Sequence, residues 1–188
     1  MTLLVLGLAV TGREEFSARD AGNDLWKVLV EQSIGWKFLW FLASFAVTSF
    51  WYVGHMLVIW TVERINRVAV WINIGFLLPI VLVPFSTSLV GQFLHARLAG
   101  TFYVLNILAI SLMLDLFWFY CYRNGLVSPQ TPPELAQAIG RRLRVVTVLL
   151  IADSIIAIFV PYIAIPIILM TLLYVALTAG SRFIVAEQ

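Results

Sequence analysis

His55 and Asn73 are the side chains whose placement most demands a chemical explanation. Each sits inside an apolar run free of Asp, Glu, Lys and Arg, Phe38–Val62 for the histidine and Val68–Leu94 for the asparagine. Each is roughly seven residues from the short charged turn Glu63-Arg-Ile-Asn66 that joins the runs. On helices rising about 1.5 Å per residue the two lie at similar depth, so a hydrogen bond between imidazole and carboxamide is geometrically reasonable. Ser44, Thr48, Trp51 and His55 follow steps of four, three and four, which puts them on one helical face. Asn73, Pro84, Thr87 and Gly91 share a stripe of the next helix, with Ile80 between them. Polar groups in lipid require partners inside the protein, so these stripes predict helix–helix contact. Two readings stand for them: packing glue, which suits Ser44, Thr48, Asn106 and Ser111, or a functional network, which His55 and Asn73 also allow.

The remaining reactive side chains do not assemble into a catalytic pattern. His55, His95 and Cys121 have no metal-ligand spacing, so no metal site is expected. Cys121 is the lone cysteine and cannot form an internal disulfide. No nucleophile, metal or cofactor motif joins His55, Asp115 and Asp153, so the chain does not read as an enzyme. Asp115 is placed to snorkel at a helix end. Asp153 lies deeper, where pairing with a polar residue of a neighbouring helix is the plainer reading; it is also the one carboxylate a proton-coupled transporter could use.

The elements that must position these groups follow from composition. Of 188 residues, 62% are hydrophobic and 12% charged, more apolar surface than a soluble domain of this size can hide. The chain is expected to be an all-α polytopic membrane protein. A formal charge of +2, spread thinly, gives no argument for nucleic acid. Five full spans are expected, at 38–62, 68–94, 98–122, 145–160 and 163–180, with Pro161 and Pro166 bracketing the last reversal. The apolar stretch 1–10 reaches roughly 15 Å as a helix and counts as a half-length first helix, making three helical hairpins within one domain over 1–188. It lacks the positive flank of a signal peptide. Residues 24–32 read as a short surface helix, and 123–144 as a cytoplasmic connection in which Pro132-Pro-Glu can open a helix. Arg64 and Arg67 in one loop, and Arg123, Arg141, Arg142 and Arg144 in another, favour cytoplasmic termini and a cell-membrane location.

Several motifs together resemble one family. Trp51-Tyr52-Val53-Gly54-His55, a short charged turn, Trp71-Ile72-Asn73 and then Pro84-Phe85-Ser86-Thr87 with Gly91 resemble the transmembrane protein 175 family of potassium channels. Its second helix carries a Tyr-Trp-x-x-His-like signature. Its third carries Trp-Leu-Asn and Leu-Pro-Phe-x-Thr-x-x-x-Gly. Tyr103-x-x-Asn106 is similar too. The resemblance implies homotetramers of six-helix subunits whose first helices line one pore, with potassium as permeant and no cofactor. It implies Leu3 and Leu6 at a hydrophobic constriction, which gates by dewetting and needs no Thr-Val-Gly-Tyr-Gly filter. Pro84, Phe85, Thr87 and Gly91 become a helix-packing motif, and His55 with Asn73 an inter-helix network.

The chain departs from the family at its start. The third constriction residue, an isoleucine, falls before Met1, and the family's Arg-x-x-x-Phe-Ser-Asp motif is missing; Arg13-Glu-Glu-Phe-Ser17 has the wrong spacing and follows the pore stretch. Two readings stand, a start placed inside a longer first helix or a non-conducting structural or accessory membrane protein of the same fold. The first predicts an in-frame Arg-x-x-x-Phe-Ser-Asp upstream of Met1 in the genomic sequence; an immediate stop codon there defeats it.

Overall fold

A computed structural model describes residues 34–93, 96–160 and 170 of the chain, with side chains in the first helix described from Leu42 onward. The described residues form four helices, α1 (Ile34–Thr61), α2 (Arg67–Gln92), α3 (Arg97–Arg123) and α4 (Pro133–Phe159). The 1–10 stretch with Leu3 and Leu6, the expected surface helix at 24–32 and all but residue 170 of the expected 163–180 span lie outside the described residues. Three helices, Leu42–Thr61 of α1, α2 and α3, are long and apolar enough to cross a membrane. That fits an all-α membrane protein, but the expectation of five full spans requires correction. Residues 145–160 do not form a helix of their own and 123–144 is not connection throughout, because α4 begins at Pro133 and continues unbroken to Phe159. Pro133 opens that helix in its first turn, where a missing amide hydrogen costs nothing, and no proline follows before Val160. Arg141, Arg142, Arg144 and Asp153 all fall on it, so its charge-free core is too short to match the others.

α3 is the hub. Twelve of its residues are buried, against seven in α2 and eight in α4, because it packs on both neighbours while α1 lies chiefly on α2. Its buried residues Tyr103, Ile107, Ile110, Leu114, Phe117 and Cys121 follow steps of three and four, the spacing of one helical face. Trp118 lies one position over and faces α4. There Gly140 admits the indole: a Cβ at residue 140 sits 2.8 Å from Trp118 Nε1.

Local chemistry sets the helix ends. Asn66 caps α2, its side-chain oxygen accepting from the Ala69 amide at 2.9 Å, which satisfies one of the helix's free donors. The same side chain donates to the Tyr120 hydroxyl on α3 at 2.9 Å. α3 ends in a left-handed stop. Gly125, at φ 65°, lets Leu126 N reach back to Cys121 O at 2.9 Å and Gly125 N to Tyr122 O at 3.4 Å. The strand-like segment that follows is pinned to the end of α1. Ser128 N donates to Thr61 O at 2.8 Å and Glu63 N to Leu126 O at 3.0 Å, around a bridge between Val62 and Val127. One cluster of backbone bonds thus holds the α1–α2 turn against the exit of α3.

Gly140→Ala is expected to lower unfolding stability by about 1–3 kcal/mol through overpacking against Trp118. Thermal or denaturant unfolding of the detergent-solubilised protein measures it, and adding Trp118→Phe should recover part of the loss.

Candidate functional site

α1 and α2 leave their turn side by side, and the depth match follows from this. His55 Nε2 and Asn73 Oδ1 lie 2.7 Å apart. With the carboxamide oxygen accepting, the imidazole proton sits on Nε2. The ring is held as well as bonded. Phe76, three residues past Asn73 and buried, stacks on it with centroids 4.7 Å apart and planes 8° apart. Phe117 of α3 approaches at 6.3 Å. Gly54, beside the histidine, leaves room for Leu114, whose Cδ2 is 3.8 Å from where a Cβ would stand. Both polar residues are half-buried, so the pair is a brace at the edge of the core.

Farther along the hairpin the polar groups form separate cross-helix bonds. Asn106 Nδ2 on α3 donates to Ser86 Oγ on α2 at 3.2 Å, and Ser86 donates onward to Val83 O at 2.9 Å. Ser111 and Thr147 join α3 to α4 through their hydroxyls at 2.8 Å. Thr101 Oγ1 donates to Ala157 O at 3.3 Å. The bonds at 101–157 and 111–147, with the 118–140 contact, give an antiparallel register for α3 and α4. Arg144 acts electrostatically on Asp115 across the same seam.

The Pro84, Phe85, Thr87 and Gly91 set divides. Thr87 is buried in the α2–α3 seam, its hydroxyl donating to Val83 O at 2.8 Å. Phe85 is exposed and meets Phe102 edge-on at 6.0 Å. Pro84 and Gly91 are half-buried. Sequence reasoning missed Ser86 as the bridging residue, and Phe76 and Phe117 as the histidine's neighbours. The available signal was the stripe Ala69, Phe76, Pro79, Val83, Ser86, Val90, whose three–four spacing marks α2's buried face. On α1, Ser44 and Trp51 are buried while Thr48 and His55 are half-buried, so the polar face straddles the packing edge.

Among the described residues no group of His, Cys, Asp and Glu could hold a metal ion. Against known proteins, residues 1–84 match the family described as endosomal/lysosomal potassium channel TMEM175. A relative named as a potassium channel, from Streptomyces collinus (strain DSM 40733 / Tue 365), is 26% identical over 144 residues. That alignment covers 73% of this chain and 66% of the relative, so the chain spans about two thirds of the relative's length. The amino-terminal part of the chain, residues 1–84, is thus similar to the TMEM175 family. The family is one of ion channels, not enzymes. His55 and Asn73 both fall within the matched residues.

Asp153 differs from the expectation that it pairs with a polar residue. It is 1% exposed, yet among the described residues neither carboxyl oxygen has a hydrogen-bond partner, and the buried Trp51 Nε1 on α1 has none among them either. An interior carboxyl without such a partner is costly.

Asn73→Leu and His55→Phe are each expected to destabilise by about 1–2 kcal/mol, since either strands a polar partner. The double substitution should cost less than the sum of the two by about 1 kcal/mol. A double-mutant cycle by unfolding in mixed micelles measures it, and strict additivity would mean the 2.7 Å contact contributes nothing.

Proposed function

We propose that this chain is a subunit of a potassium-permeable channel in the cell membrane. The observation that carries the reading is the coincidence of a TMEM175 family match over residues 1–84 with a bonded His55–Asn73 pair inside it. The name of the Streptomyces relative supports potassium as the permeant. In this reading α1 to α4 are scaffold: the His55–Asn73 brace and the α3 seams hold the helices that carry the pore wall in place. Ions pass along the axis of a homotetramer, between first helices, where Leu3 and Leu6 form the constriction. A ring of leucines offers no oxygen to replace an ion's water, so it closes by dewetting and opens by widening. Both termini face the cytoplasm, as the loop arginines favour.

Potassium flux into proteoliposomes tests this. A version carrying a complete first helix should pass potassium, and Leu3→Asn or Leu6→Asn in it should raise the leak or weaken selectivity by making the constriction wettable. Unchanged flux in both variants removes these residues from the pore. A well-folded oligomer that never passes potassium overturns the channel reading itself.

A further inference from the structure

Three arginines gather at one boundary of the membrane. Arg64 lies in the turn between α1 and α2, Arg67 opens α2, Arg123 closes α3, and all three are exposed. The backbone brings them into one neighbourhood. Arg64 N donates to Leu126 O at 3.3 Å, three residues past Arg123. Asn66, beside Arg67, donates to the hydroxyl of Tyr120, one turn before Arg123. Among the described residues no ion pair engages any of the three. Segments 62–67 and 123–132 contain these three arginines and one acid, Glu63, so the site carries a net positive charge.

The aromatic side chains give its depth. Trp60, one residue before the end of α1, is 76% exposed, and Trp71, one turn into α2, is 71% exposed. Exposed indoles of membrane helices settle at the headgroup level, which puts the arginines among the lipid phosphates. Arg123 does not reach straight into water; its guanidinium lies 5.9 Å from the centre of the exposed Phe119 ring, back along the outer side of α3. Guanidinium forks match phosphate oxygens with two parallel hydrogen bonds. The apolar surface running from Trp71 and Phe119 toward the bilayer centre suits acyl chains, which a free phosphate does not have.

We propose that Arg64, Arg67 and Arg123 form a binding site for the phosphate headgroup of an anionic phospholipid from the leaflet bordering this end of the helices. The lipid phosphate offsets part of the arginines' charge and joins the α1–α2 turn to the exit of α3, the same two elements that the Val62–Val127 bridge holds. It rests on the membrane placement of the helices and not on the channel reading, so a protein that passes no potassium leaves it intact.

Native mass spectrometry of the detergent-purified protein with added phosphatidylglycerol or phosphatidylcholine tests the site. The expected result is preferential retention of phosphatidylglycerol, falling by about fivefold for each of Arg64→Gln, Arg67→Gln and Arg123→Gln. Replacing all three with Lys should keep most of the preference and shows that a loss in the Gln variants is not misfolding. Arg97→Gln, at the other end of α3, should leave it unchanged. Equal retention of both lipids overturns the proposal, as does an equal loss with Arg97→Gln. Displacement of phosphatidylglycerol by millimolar glycerol phosphate also overturns it, since the site would then take a soluble phosphate.

Discussion

A polar side chain in hydrocarbon has no water to fall back on, and the described part of this protein is organised around that constraint. Each helix seam carries at least one hydrogen bond between side chains or from side chain to backbone. His55 and Asn73 join α1 to α2, Ser86 and Asn106 join α2 to α3, and Ser111 and Thr147 join α3 to α4. Lipid tails are as apolar as leucine, so burying leucines does little to choose a neighbour. Pairing polar groups does choose one, because a slipped register leaves them unsatisfied.

That principle also accounts for the central position of α3. It is the helix that supplies polar partners to both sides, Asn106 toward α2 and Ser111 toward α4, and it buries more residues than either neighbour. At one end it is fastened by a second mechanism, backbone pairing in the loops. The Gly125 stop turns the chain back so that 126–128 can bond the turn after α1. Side-chain bonds set the register in the interior, and backbone bonds set it at the boundary, where loops can be ordered by their own amides. In the channel reading this rigid assembly is the frame against which a pore-lining helix moves.

Much of this was legible in the sequence, and the reasons differ by residue. His55 and Asn73 could be matched because a short turn leaves little freedom: equal distance from the turn means equal depth. Asn106 and Ser111 could be recognised as packing residues but not assigned partners, since their partners lie twenty and thirty-six residues away across longer excursions. The helix boundary was misplaced at α4 because its arginine-bearing part was assigned to the connection, although Pro132-Pro-Glu was read as able to open a helix. Arginine is an acceptable helix former, and with Pro133 at the first turn nothing in 134–159 stops the helix.

The sequence by itself determined the class of protein, the limits of α1, α2 and α3 to within a few residues, and the motif pattern of a potassium-channel family. Those follow from local properties, the length of apolar runs and the spacing of side chains on a helix. Only the tertiary structure decided that Ser86 hydrogen-bonds to Asn106 on α3, that Trp118 seats on Gly140, and that Asp153 is buried with no hydrogen-bond partner among the described residues. These depend on how helices rotate about their own axes when they meet. Neighbouring positions on a helix differ by about 100° of rotation, and a run apolar on all sides leaves that rotation open until the helices pack.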